Sequence, residues 1–175
     1  MNIFLPYEDN ARKSIESLDN VRLNKQILEI NTLLDFALGN STAYGKHPVA
    51  QFYKNNPKFL VHYGYECCRE YYYRFKKWHS LTKYFDSIMN DFNMFEYDED
   101  GCIISMEIPK FVPYYMSGSK DSADCIRTTE NVSALFQSKL IEKWEGDKAK
   151  GRTPSWGIRE MPEFYKKYLE EKWSK

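Results

Sequence analysis

Nowhere in the sequence does an apolar run approach the roughly 20 residues a membrane helix needs, so no membrane span is expected. The opening MNIFLPYEDN has neither a basic stretch nor a long apolar one, and it does not read as a signal peptide. Cysteine is scarce, limited to Cys67, Cys68, Cys102 and Cys125. An adjacent pair points to different sides of a helix, and no CxxC or His-rich spacing accompanies it. That excludes a zinc motif and a disulfide framework and points to a reducing, cytoplasmic setting. No GxGxxG, P-loop, HExxH or nucleophile-elbow pattern occurs, which removes the commonest cofactor and hydrolase classes. No metal or cofactor is expected. An excess of one charge is also missing: 25 Lys and Arg meet 25 Asp and Glu. A strongly basic, sequence-blind coat for nucleic acid is excluded, while a local basic face stays open.

Aromatic residues, by contrast, are abundant, with 14 Tyr, 11 Phe and 4 Trp. Tyr and Trp join a large apolar body to a polar tip, so they suit wet pockets as well as cores. Hydrophobic residues at 42% in 175 positions supply one compact domain spanning 1–175 and rule out disorder as the main state.

The pattern predicts a mostly α protein: a single multi-helix domain with an extended N-terminus and a small irregular or hairpin insertion. Residues 1–5 are extended and apolar until Pro6 interrupts them. A short helix follows from Ala11 to Ser17. Asp19 and Asn20 are candidate N-caps for a helix to about Leu38, stopped by Gly39-Asn40. Its stripe of Leu23, Ile27, Ile30, Leu34 and Ala37 has helical spacing, and Arg22, Lys25, Gln26 and Glu29 share another face. Asn56-Pro57 opens a helix to about His79, and a further one covers Leu81 to Asn93. Residues 94–113 hold an Asp-Gly turn signal between short alternating runs, hence an acidic loop or hairpin. Ser117 to Ser122 reads as loop. Helices are expected from Glu130 to Glu145 and from Pro162 to Lys172, separated by the turn-rich GDKAKGRTPSWG. Charge is uneven along the chain. From Gln51 to Lys83 seven basic residues stand against two acids, and from Tyr84 to Pro109 seven acids stand without a base.

Three groups of residues carry chemistry. On the helix after Asp19, Arg22 and Lys25 form a pair of cations able to hold an anion beside Glu29, an acid/base group; the plain alternative is a solvated Lys25–Glu29 pair at i,i+4. His47, before Pro48, is placed either to donate to a phosphate or to cap the helix that follows. The run from Glu70 to His79 interleaves rings and cations as stacking on bases requires. Within it, Tyr71 and Phe75 are assigned to the core, whereas Arg74, Lys77 and His79 are candidates for nucleic-acid contact.

A resemblance rests on residues met in a fixed order. They are Met1-Asn2-Ile3-Phe4, Leu18 to Glu29, His47-Pro48, the Glu70 to His79 run, and Arg152-Thr153-Pro154-Ser155-Trp156. Together they resemble the small phage and bacterial proteins grouped with pyrimidine-dimer DNA glycosylases of the phage endonuclease V type, over most of the chain outside residues 94–113. The resemblance implies a mostly helical domain that cleaves the N-glycosidic bond of a damaged pyrimidine and then breaks the strand as an AP lyase. It implies an N-terminal α-amine as nucleophile, here that of Met1, with Glu29 assisting and Arg22 and Lys25 gripping DNA. Asn2 is a bulky second residue, so Met1 is expected to be retained. The alternative readings are a non-enzymatic nucleotide or nucleic-acid binding module using Arg22, Lys25, His47, Arg74 and Lys77, such as a phage factor acting on host defence or DNA metabolism, and a phage-type protein-interaction factor with the acidic segment Asp86–Asp100 as its contact surface. Oligomeric state is not legible here.

Overall fold

The computed structural model of the protein describes residues 2–7, 10–118 and 125–174. Among them the helices are α1 (Ala11–Ser17), α2 (Asn20–Ala37), α3 (Pro48–Tyr53), α4 (Pro57–Phe75), α5 (Thr82–Asp91), α6 (Val132–Lys148) and α7 (Glu163–Trp173). Two small antiparallel hairpins complete it, β1 (Phe95–Tyr97) with β2 (Ile103–Met106) and β3 (Tyr115–Ser117) with β4 (Ile126–Thr128). The mostly α expectation is met. Among the described residues no helix is long and apolar enough to cross a membrane.

The α2 stripe does what its spacing predicts: Leu23, Ile27, Ile30 and Leu34 are buried, and Ala37 packs at the margin. α2 lies along α4, whose Leu60, Tyr63 and Cys67 are fully buried. Gly64 lets α4 approach α5 closely, because a Cβ there would stand 2.6 Å from the Phe85 ring. The apolar start of the chain runs through this core, with Ile3 and Leu5 fully buried. Its backbone groups find partners in side chains: the Tyr63 hydroxyl donates to the Phe4 carbonyl at 2.8 Å, and the Gln137 amide to the Pro6 carbonyl at 2.8 Å.

Several boundaries differ from expectation for identifiable reasons. α4 stops at Phe75, not His79, because Lys76 takes a left-handed conformation (φ 54°) and donates its N–H to the Tyr72 carbonyl at 2.8 Å. α6 passes through Gly146 to Lys148, and Gly151 (φ 73°) is the residue that turns the chain away. The insertion at 94–113 holds the β1–β2 hairpin, with Gly101 at φ 78° and Asp98 accepting from the N–H groups of Asp100 and Cys102. The β3–β4 hairpin was not foreseen. Ser117 lies in β3 instead of a loop, and residues 119–122 of the expected loop lie outside the described residues.

Arg74, a candidate contact for nucleic acid, is instead an internal residue. Its side chain is fully buried against that of Glu70 at 2.7 Å. It also donates to the carbonyls of Leu18 (2.7 Å) and Glu16 (3.0 Å), which joins α4 to the α1–α2 connection. Glu70 accepts from Arg159 as well, at 2.8 and 2.9 Å. Burial pushes the Glu70 carboxyl upward, but Arg159 and Arg74 outweigh it and hold the group below the ordinary carboxylate range. Its stabilising effect is therefore full above the unfolded-chain value and is lost as pH falls through the lowered folded value. Glu70→Gln should cost about 3–5 kcal/mol in denaturant unfolding at neutral pH, the scale for a buried ion left without its partner. The same substitution should flatten the acid limb of the stability curve. A cost under about 1 kcal/mol would mean that the carbonyls alone satisfy Arg74.

Candidate functional site

The start of α2 is fixed by a carboxylate. Asp19 occupies the N-cap position, as expected, yet makes no side-chain capping bond. It is fully buried, accepts from the Trp144 indole of α6 at 3.0 Å, and pairs with Arg22 at 3.3 Å. Arg22 is also paired with Asp147 at the end of α6 and donates to the Lys143 carbonyl at 3.5 Å. These contacts hold the first turns of α2 against the second half of α6. The following segment closes the same corner: Asn20 N–H donates to the Ser155 carbonyl at 2.8 Å, and the Trp156 indole to the Ser17 carbonyl at 2.8 Å.

One turn further along α2, the expected polar face divides. Gln26 is buried, accepts from the Phe4 N–H at 2.8 Å and donates to the Asn2 carbonyl at 3.1 Å. Glu29 accepts from the Asn2 N–H at 3.3 Å. The Asn2 side chain in turn exchanges bonds with the backbone of Met116 in β3, donating at 2.9 Å and accepting at 3.3 Å. The extended N-terminus is thus clamped between α2 and β3 with its first described amide on Glu29. Met1 itself lies outside the described residues.

Between α2, α6 and β3 lies a cleft of about 450 Å³, within the usual range for small-ligand sites. Arg22, Lys25, Glu29 and His47 all line it, so four of the predicted site residues converge. Lys25 stands 3.7 Å from Glu29 with its own side chain largely in solvent. His47 takes the capping role foreseen for it, its Nδ1 accepting from the Val49 N–H at 3.2 Å at the start of α3, and the residue also borders the cleft. With Nδ1 accepting, the proton of the neutral ring sits on Nε2, which is then a donor.

Arg74, Lys77 and His79 do not line the cleft. Arg74 is consumed inside the protein as described. Lys77 is exposed beyond the end of α4. His79 accepts from the Leu81 N–H at 3.2 Å and meets Tyr71 edge-on at 5.1 Å, and burial lowers its pKa. Of the rings assigned to the core, Tyr71 packs against it, whereas Phe75 is exposed. The acidic hairpin is also elsewhere and presents Ile103 and Ile104 to solvent. Burial pushes the Cys67 thiol well up and Cys68 up to about 12, so neither supplies a thiolate near neutral pH.

The site residues not foreseen are on α6 and just after it. Lys139, Lys143 and Asp147 recur every four residues, one position before the buried stripe of Leu140 and Trp144, and all three border the cleft with Arg152. That spacing was present in the sequence. It was obscured because α6 was expected to end before Asp147.

A mostly helical protein, with a cation-lined cleft built on its extended N-terminal segment and first long helix, is the class these features define. Residues 1–83, a stretch that includes Arg22, Lys25, Glu29 and His47, match the family model of the pyrimidine dimer DNA glycosylases. The resemblance read from the sequence is borne out over those residues, while Arg152–Trp156 lies beyond them. No curated protein and no solved structure gives a significant match.

The clamp has a direct test. Gln26→Ala strands the Phe4 N–H in the core and should lower stability by about 1–3 kcal/mol, the cost of an unsatisfied buried group. Hydrogen exchange at the Phe4 amide should accelerate more than at amides of α7. Unchanged exchange would mean that Gln26 does not hold the strand.

Proposed function

We propose that the protein is a DNA N-glycosylase with AP lyase activity on damaged or modified pyrimidine nucleotides, using the α-amine of Met1 as nucleophile and Glu29 as acid/base group. The observation that supports this reading most is the bond from the Asn2 N–H to Glu29. That amide is the one Met1 forms, so only the Cα and carbonyl carbon of one residue separate it from the amine. The family match over residues 1–83 supports the class of reaction.

An α-amine has a reference pKa of about 7.7–8.0, so part of it is the free nucleophile at neutral pH. Its nitrogen attacks C1′ as the bond from C1′ to the base breaks, and the base leaves with the electron pair and is protonated. Loss of the amine proton and opening of the sugar ring give an imine at C1′. Glu29 then accepts a proton from C2′, the electrons form a C2′–C3′ double bond, and the 3′ phosphate departs. Water hydrolyses the imine and restores the amine. The target base must leave the helical stack, at a cost of a few kcal/mol, before the cleft can reach its sugar.

The test is borohydride reduction in the presence of an oligomer carrying an abasic site. A covalent adduct mapping to Met1 is expected, and adding one residue ahead of Met1 should abolish it. Glu29→Gln keeps an oxygen for the Asn2 N–H while removing the proton acceptor. Single-turnover cleavage should fall by about 10²-fold or more, the scale of a general acid/base group. DNA binding should persist or tighten, because a negative charge near phosphate has gone. Cleavage close to that of the unaltered protein would defeat the role given to Glu29. Binding without any adduct or cleavage would favour the non-enzymatic binding module.

A further inference from the structure

Among the described residues, the α6 wall of the cleft contains a cation with no carboxylate partner. Arg22 is occupied by Asp19 and Asp147, Lys25 faces Glu29, and Lys139 is paired with Glu142 at 2.7 Å. Lys143 is half-buried, and among the described residues its ammonium has no carboxylate at ion-pairing distance. It stands four residues after Lys139 on the same helical face, where side chains three or four apart are neighbours. Lys25 approaches from α2 on the opposite wall. An unpaired, partly desolvated ammonium among like charges costs free energy, and an anion entering the cleft removes that cost.

We propose that Lys139 and Lys143 of α6, with Lys25 of α2, form a phosphate-binding site that holds a backbone phosphate beside the sugar presented to Glu29. The proposal rests on the preceding reading only for the source of the phosphate, a DNA strand. Lys25 borders both the proposed anion position and Glu29, 3.7 Å away, so a phosphate held there brings its attached sugar to the carboxylate. The site draws its α6 residues from beyond the stretch matched by the family model. Substrate grip is thereby extended from Lys25 to residues outside that stretch.

The charges facing Lys143 fix the expected signature. Burial, then Lys25, Lys139 and Arg22, lower its pKa below the ordinary lysine value, and Glu142 opposes them. A bound phosphate reverses the repulsion. Titration of the full chain, followed by NMR of the lysine side chains, should therefore show the Lys143 midpoint moving up when inorganic phosphate is added. Binding of a short abasic oligomer should lose about 10-fold or more in Lys143→Met, the scale of one charge-assisted hydrogen bond. The magnitude of the salt slope should fall by about 1, and Lys143→Arg should restore both. KM should carry the loss more than kcat.

Three results would overturn the site: a Lys143 midpoint unmoved by phosphate, a salt slope unchanged in Lys143→Met, or a borohydride adduct mapping to Lys143 itself. The last would make the residue a nucleophile. If phosphate moves the midpoint and Lys143→Met weakens the oligomer, but no abasic DNA is cut, the phosphate site stands and the lyase reading falls. Phosphate binding with no oligomer binding overturns the assignment to a DNA strand.

Discussion

A carboxylate buried where water cannot reach it must be met by donors, and Asp19 is such a group. The Trp144 indole and the Arg22 guanidinium supply them, one from α6 and one from its own helix. The position of α2 relative to α6 follows from that requirement. Because Arg22 then spans to Asp147, the constraint acts near both ends of the inter-helix corner rather than at a point. The cleft is the space left beyond it. Residues that resemble DNA contacts in one dimension thus belong partly to the scaffold: Arg22 touches the cleft, but its charge is already balanced by the carboxylates that fix the helices.

The N-terminal strand is subject to the same logic. An extended segment threaded through a helical core cannot pair with neighbouring strands along its length, so its amides and carbonyls take side-chain partners one by one. Gln26 bonds both a carbonyl and an N–H of the strand, Tyr63 takes the Phe4 carbonyl, and Glu29 receives the Asn2 amide. These are side chains from two different helices. A polar residue such as Gln26 is consequently buried without loss, since each of its groups has a partner. The same bonds bring the Asn2 amide to the carboxylate with which the proposed chemistry works.

Much of this arrangement was legible in the sequence wherever one local rule determined the outcome. The α2 stripe, the His47-Pro48 helix start and the Asp-Gly hairpin followed from periodicity and turn chemistry. What could not be read was set by tertiary partners. Gln26 and Arg74 look like surface residues in a helical wheel, and only the carbonyls and amides brought by other segments explain their burial. Lys76 ends α4 in a conformation that sequence favours for glycine, and Gly146 continues α6 where turn composition suggests a stop. That last difference matters for the site, because it places Asp147 on the helix and lets Lys139, Lys143 and Asp147 share one wall. The acidic block from Tyr84 to Pro109 likewise offered a reading as a partner surface, but in the fold much of it lies on a hairpin outside the cleft.

Formal neutrality is compatible with an anion site because the chain separates its charges by use. Glu70 takes up Arg74 and Arg159, the latter also paired with Glu16, and Arg22 takes up Asp19 and Asp147 at the corner of the cleft. Among the described residues the cleft is lined by Arg22, Lys25, Lys139, Lys143 and Arg152 against Asp19, Glu29 and Asp147, and Glu142 pairs with Lys139. A small local excess of cations along the opening is thus compatible with a total of zero over the chain. Such a local field acts over about a Debye length, roughly 8 Å at physiological salt, and steers only ligands already near the opening. It suits a protein that grips one or two phosphates around a single nucleotide more than one that follows a long duplex by charge alone.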